Sequence, residues 1–175
     1  TNTSLKETPQ AVTVVPKAVL KDIQATRLSE ALDVAGVGRA NNFGGQGLTT
    51  FTSRGFTSGE YYRNGFPINR GYPNAPDSST VERVEVLKGA SSSLYGRGDP
   101  GGTFNVVSKT PQAERKTTLG LNVDEEGLYR GTVDTTGALT EDKSLTYRLN
   151  LMGENGDTYR DNVDTKRWNI APVLQ

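Results

Sequence analysis

The 175-residue chain carries 20 Lys+Arg against 20 Asp+Glu and contains neither Cys nor His. Those two absences exclude a zinc site of the usual ligand set, a protein-ligated iron–sulfur cluster, a disulfide framework, and Ser-His-Asp or Cys-His catalysis. Zero net charge argues against a nucleic-acid binder, whose hold on phosphates needs surplus Lys and Arg, and no apolar run approaches the roughly 18 residues of a membrane-spanning helix, which leaves a membrane β-barrel untouched. The charge is unevenly placed. Residues 1–112 hold 12 basic and 9 acidic side chains, net +3, and residues 113–175 hold 8 and 11, net −3. All Pro but Pro172 also lie in the first part, so a domain boundary is expected near Pro111-Gln112-Ala113-Glu114-Arg115.

Val12 to Val15 is a β-prone run. Pro16 suits the start of a helix, where a missing N–H is harmless, and Val19, Leu20 and Ile23 would share one face of it. Thr26 is the expected N-cap of a second helix, with Leu28, Ala31, Leu32 and Ala35 at helical spacing and Gly36 as its stop. From Gly38 to Thr80 the chain turns to loop chemistry. Gly44-Gly45-Gln46-Gly47, Arg54-Gly55-Phe56, Asn64-Gly65-Phe66-Pro67 and Arg70-Gly71-Tyr72-Pro73 follow closely, with short strands expected at residues 51–54 and 61–63 around the tight-turn dipeptide Asn64-Gly65. No internal repeat stands out. Val81 to Leu87 alternates as a strand, residues 91–95 suit one helical turn, and residues 103–107 form another β run.

Beyond Arg115 the period becomes two. Leu119, Leu121 and Val123 alternate with polar or small residues, as do Tyr129, Gly131, Val133 and Thr135. Leu145, Tyr147, Leu149 and Leu151 face away from Thr146, Arg148, Asn150 and Met152, and a fourth segment starts at Arg167-Trp168. Such segments fit both a solvent-facing antiparallel sheet and the wall of a membrane barrel, and periodicity does not choose between them.

Among shorter motifs, Gly44-Gly45-Gln46-Gly47 lacks the Lys-Ser/Thr and the strand-to-helix setting of a phosphate loop. The acidic stretch Asn155 to Asp164 lacks the spacing of a calcium loop. Glu82 and Glu85 fall on opposite strand faces and so make no catalytic pair. Arg97-Gly98-Asp99 spells a cell-adhesion tripeptide. Arg39, Arg54, Arg63 and Arg70, interleaved with Phe43, Tyr61, Tyr62 and Tyr72, suit recognition of an anionic or oxygen-rich ligand. A solvated loop surface reads equally well from these residue types.

The run Val81-Glu82-Arg83-Val84-Glu85-Val86-Leu87-Lys88-Gly89, then Ser93-Leu94-Tyr95-Gly96, Pro100-Gly101-Gly102 and Asn105-Val106-Val107-Ser108-Lys109-Thr110-Pro111, resembles the plug signature of TonB-dependent outer-membrane receptors. Glu7 to Val15, Leu28-Ser29-Glu30-Ala31-Leu32, Arg54-Gly55-Phe56 and Tyr62-Arg63-Asn64-Gly65 upstream are similar to the family in its order. Thr146-Tyr147-Arg148-Leu149-Asn150 and Arg160-Asp161 downstream resemble the first barrel strands of its ferric-siderophore branch.

The resemblance implies an α+β fold: a mixed-sheet plug with short helices at residues 1–112, then at 113–175 the first antiparallel strands of a 22-stranded transmembrane barrel. It implies a transport receptor and not an enzyme, in a Gram-negative outer membrane, with no cofactor and with the iron held inside its chelate. The implied partners are a ferric siderophore, the energising protein TonB, the lipid bilayer around the barrel, and phage or bacteriocin. Ligand contact would fall to Arg39, Ser58, Gly59, Arg70 and Tyr72, while Arg54 and Lys88 would latch the plug to carboxylates of the barrel. The segment that meets TonB is not recognisable here. The chain stops inside a strand, and a fragment of a longer receptor is expected. Two other readings stay open: another cargo such as cobalamin, haem or a different metal chelate, and a surface adhesion or signalling module using Arg97-Gly98-Asp99.

Overall fold

The computed structural model describes residues 11–39, 51–58, 61–68, 76–89, 100–125, 127–157 and 164–175. Two compact units divide the chain between Ser108 and Lys109, a few residues before the boundary expected from composition.

The first unit begins with β1 (Ala11–Pro16), α1 (Lys17–Asp22) and α2 (Leu28–Val34). Pro16 is the N-cap of α1, and Leu20 is its buried residue. Ile23, expected on the same face, lies at the C-cap and is 43% exposed, because the helix has already ended there. The N-cap of α2 is Arg27 and not Thr26. The oxygen that caps this helix belongs to Glu30, which accepts from the Thr26 amide at 2.6 Å and the Arg27 amide at 3.3 Å. A carboxylate in the first turn thus reaches back to the amides at and just before the N-cap, and the Thr26 hydroxyl, expected to accept, donates to Glu30 Oε1 at 3.3 Å. Gly36 ends the helix as expected, at φ +74°. Its amide donates to Asp33 O and the Val37 amide to Leu32 O, each at 3.0 Å, which is the paired bonding of a Schellman cap with buried Val37 set against buried Leu32.

Five short strands follow: β2 (Gly38–Arg39), β3 (Phe51–Ser53), β4 (Phe56–Ser58), β5 (Tyr61–Arg63) and β6 (Phe66–Ile68). The pairs β3–β4 and β5–β6 are hairpins of one build that start ten residues apart, a repeat of conformation that the sequence scarcely shows. Both turns carry positive φ at both central residues, +53° and +82° at Arg54-Gly55 and +52° and +85° at Asn64-Gly65, so each matches the twist of its strands. A 3-10 turn at Ser78–Thr80, capped by the Asp77 carboxylate on the Ser79 amide at 2.9 Å, leads into β7 (Val81–Lys88), and β8 (Thr103–Ser108) completes the unit.

The strands form a five-stranded sheet in the order β1-β7-β8-β5-β6 and a three-stranded sheet β2-β3-β4. Only the β5–β8 contact is parallel, so the larger sheet is mixed. Side chains extend that two-residue pairing. Asn64 Nδ2 donates to Ser108 Oγ at 3.3 Å while its Oδ1 accepts from the Ser108 amide at 2.8 Å, and Asn105 Oδ1 accepts from the Gly65 amide at 3.0 Å. Leu20, Leu28, Leu32, Val37, Phe51, Val84, Val86, Phe104 and Val106 lie in one core cluster. Gly102, at φ +134°, lets the chain pass β7, since a Cβ there would come within 2.6 Å of Leu87 O.

The second unit is a four-stranded antiparallel sheet of β9 (Lys116–Val123), β10 (Tyr129–Ala138), β11 (Thr146–Asp157) and β12 (Asp164–Leu174), paired in chain order. The expected strands are all present, and β12 starts three residues before Arg167. No helix among the described residues is long and apolar enough to cross a membrane.

Candidate functional site

The four-stranded sheet is inverted relative to a water-soluble one. Residues opposite each other in register share a face, and one set of rows is apolar: Trp168, Gly153, Gly131, Leu121, then Ile170, Leu151, Val133, Leu119. On this face Leu119 is 74%, Leu121 78%, Trp168 76% and Ile170 61% exposed. The other face holds Arg130, Thr136, Arg148, Asn150, Met152, Glu154 and Thr165, all buried. A solvated sheet would bury the leucines and expose the arginines. Of the two readings that alternation left open, this pattern is that of a barrel wall, apolar outward and polar inward.

Two clusters hold the buried charges. Asp134 accepts from Arg148 Nε and Nη2 and from Lys109 Nζ, each at 2.8 Å. Glu154 accepts from Arg130 Nη1 at 2.8 Å and from Arg167 Nε and Nη2 at 2.9 and 2.7 Å. Each carboxylate is thus shared by two cations, and one Arg of each cluster grips it with two nitrogens: Arg167 from directly across the register, Arg148 from the diagonal position. These clusters were not foreseen. Their signal was a charged residue on the polar side of each alternating segment. At the strand turn 139–145, hydrogen bonds from Thr140 and Ser144 hold the exposed Asp142 carboxyl below its ordinary range.

If the outer face meets lipid, Trp168 reports it. In a complete receptor reconstituted in vesicles, replacing Trp168 with Phe is expected to remove a component of fluorescence that acyl-chain-brominated lipids quench and aqueous iodide does not. Quenching of that component by iodide alone would place the indole in water.

The ligand residues expected in the first unit divide by what the structure describes. Arg39 and Ser58 come into one row of the small sheet, Arg39 opposite Phe51 and Phe51 opposite Ser58. Two strand spacings, about 10 Å, separate their backbones. Phe51 fixes the middle of this row: it is 1% exposed, and its ring meets that of Phe104 at 5.2 Å and 54°. Gly59, Arg70, Tyr72 and the tripeptide Arg97-Gly98-Asp99 lie outside the described residues. Tyr61, 5% exposed, is the buried anchor of the next hairpin, and burial pushes its phenol above the ordinary value while Arg63 pulls the other way.

The two latch candidates stand apart from this row. Arg54 is exposed at the tip of its hairpin, its Nη1 3.5 Å from where a Cβ of Gly89 would sit. Lys88 is half-buried at the end of β7, its Nζ 3.9 Å from the corresponding point of Gly36. Among the described residues neither has a carboxylate partner.

Comparison with known proteins agrees with this architecture. Residues 4–103 match the model of the TonB-dependent Receptor Plug Domain. The chain is 51% identical over 175 residues to the metal-pseudopaline receptor CntO of Pseudomonas aeruginosa, covering 99% of this chain and 25% of that protein. Among solved structures, the ferric-catecholate import receptor Fiu of Escherichia coli K12 superimposes with a TM-score of 0.84 at 30% identity, over 97% of this chain and 25% of its own. FpvA of Pseudomonas aeruginosa, solved with a ferric heterologous pyoverdine and, as FpvAI, with pyocin S2, gives 0.88 at 26% identity over 98% of this chain and 23% of its own. The chain therefore spans about a quarter of the length of the relatives it matches. These relatives are transport receptors and not enzymes. A plug match over more than half the chain, continuous with an inverted four-stranded sheet, leads to one assignment: this chain belongs to the TonB-dependent receptor family.

Proposed function

We propose that residues 1–112 are the plug and residues 113–175 the first wall strands of an outer-membrane receptor that binds a ferric siderophore and, energised by TonB, imports it to the periplasm. The observation that carries this reading is the inverted sheet, which calls for lipid on one side and a polar lumen on the other. The similarity to Fiu supports a ferric chelate as cargo. The identity to CntO favours a second reading within the same mechanism, a metallophore whose metal need not be iron. In both readings the protein recognises the organic shell, consistent with a chain that has no His or Cys to offer a metal.

Recognition falls to Arg39 and Ser58 in their common row, with Gly59, Arg70 and Tyr72 completing the surface. A guanidinium suits the anionic oxygens of such a chelate. Arg54 and Lys88 serve as latches toward barrel carboxylates. Arg54 supports this by its position: the tight turn of its hairpin holds it at a left-handed φ, as Asn64 is held in the sister hairpin, and leaves it exposed at the tip. A bacteriocin is a further partner, suggested by the pyocin S2 complex of FpvAI.

The test is binding of hydroxamate, catecholate and mixed ferric siderophores, together with nickel, zinc and cobalt metallophore complexes, to a complete receptor bearing Arg39→Ala or Tyr72→Ala. One chelate class is expected to bind the wild type and to lose about tenfold or more in affinity in the Arg39 variant. Preference for a non-ferric complex would select the second reading. No binding of any chelate to the wild type would end both.

A further inference from the structure

Between the last plug strand and the first wall strand runs a short connection, and the two sides of it are held differently. Ser108 belongs to the first unit. Its amide donates to Asn64 Oδ1 at 2.8 Å and its hydroxyl accepts from Arg63 Nε at 3.1 Å. Lys109 belongs to the second. It is 8% exposed, and its ammonium sits 2.8 Å from Asp134 Oδ2. Each following residue but the proline is tied to β10 or β11, two of them through inner-face side chains and Ala113 through the backbone. Arg148 Nη1 donates to Thr110 O at 2.8 Å, the Gln112 amide donates to Thr136 Oγ1 at 2.8 Å, and the Ala138 amide donates to Ala113 O at 3.2 Å. Pro111 has no N–H to satisfy and a fixed φ.

Only Lys109 of this segment is buried, and Thr110, Gln112 and Ala113 are exposed, yet the bonds tie the backbone down along its length, which a flexible linker would lack. We propose, building on the transport reading above but ending the movable part of the plug at Ser108 and not at residue 112, that residues 109–113 are a permanent part of the wall, and that any plug displacement during uptake pivots on two dihedrals, ψ of Ser108 and φ of Lys109. Lifting the connection off β10 would strip Asp134 of one cation and break the bond from Arg148 to Thr110, in a place where both basic side chains are buried. Unpaired buried charge is among the costliest states a protein can adopt. Rotation at the Ser108–Lys109 junction disturbs none of those bonds. Hinges elsewhere are likewise confined to a few element-terminal residues.

Two measurements on a complete receptor test this. The first needs no transport: hydrogen exchange of the Gln112 and Ala138 amides in detergent. Both are expected to exchange as slowly as the interior amides of β10, and at least tenfold faster in Asp134→Ala. Exchange of Gln112 at an unprotected rate in the wild type would overturn the proposal. The second is a Gln112→Cys, Thr136→Cys disulfide, with uptake of radioactive iron supplied as a ferric catecholate compared between the oxidised and reduced forms of the same protein. Uptake within twofold in the two forms is expected. A tenfold loss on oxidation that reductant restores, or failure of the disulfide to form, would sink the pivot. Absence of iron uptake by the wild type would count against the ferric reading of function, and the exchange experiment would still decide the anchor.

Discussion

Replacing Glu154 with Ala is expected to destabilise the receptor by about 3–5 kcal/mol, read from denaturant unfolding in detergent. Register places Glu154 of β11 between Arg130 of β10 and Arg167 of β12, so one carboxylate serves two guanidinium groups in a single inward row. The exposures of the three side chains differ in a way that makes the prediction specific. Glu154 is 1% and Arg130 3% exposed, whereas Arg167 is 32% exposed. Removing the acid leaves the buried Arg130 charge without its carboxylate. Removing Arg167 leaves a neutral buried pair and a partly solvated gap, so Arg167→Ala should lose only about 1 kcal/mol or less. Glu154→Gln falls between, because the amide oxygen still accepts one bond. Equal and small effects of Glu154→Ala and Arg167→Ala would show that water already solvates the cluster.

How much of this was legible beforehand follows from what each signal encodes. Strand periodicity is local, so β7 and β9 to β11 could be placed from residues such as Val84 and Val86, or Leu149 and Leu151. Gly36 and the dipeptide Asn64-Gly65 were readable because only certain residues tolerate positive φ, and their caps and turns formed as expected. The N-cap of α2 was misplaced because the Thr26 hydroxyl donates to Glu30, whose carboxylate reaches back to the Thr26 and Arg27 amides, and the helix starts one residue later. Alternation says that two faces differ, without saying which one is covered. That answer came from the burial of Arg148 and Asn150 against the exposure of Leu119 and Trp168. The charge clusters were hidden for a related reason. Asp134 and Arg148 are 14 residues apart, and Arg130 and Glu154 are 24 apart. They meet only in one register, and a one-residue slip would send each to the other face. The row of Arg39 and Ser58 was half legible: the Arg54-Gly55 turn fixes Phe51 against Ser58, but nothing in the chain announces that β2 lies along β3.

That row gives the second large effect, at a residue too deep in the core to touch any ligand. Phe104 is 2% exposed on β8, inside the five-stranded sheet, and the ring it meets is Phe51 on β3, in the three-stranded sheet. Truncation to Ala removes the packed ring and leaves a cavity, for an expected loss of about 3–5 kcal/mol. The consequence should reach the proposed ligand surface, because Phe51 is the middle member of the row that carries Arg39 and Ser58. With its aromatic partner gone, Phe51 can shift within the new space, and the backbone positions either side of it shift too. Phe104→Ala is therefore expected to weaken chelate binding several-fold even in receptor that remains folded. Phe104→Leu, which keeps most of the volume, should lose under about 1.5 kcal/mol and bind nearly as wild type. Core packing and ligand geometry predict the same order for the two variants but different readouts: unfolding midpoint for the first, affinity at saturating folded protein for the second. Wild-type affinity in folded Phe104→Ala would mean that the small sheet holds its shape without the Phe51–Phe104 contact, and that the ligand row is set from elsewhere.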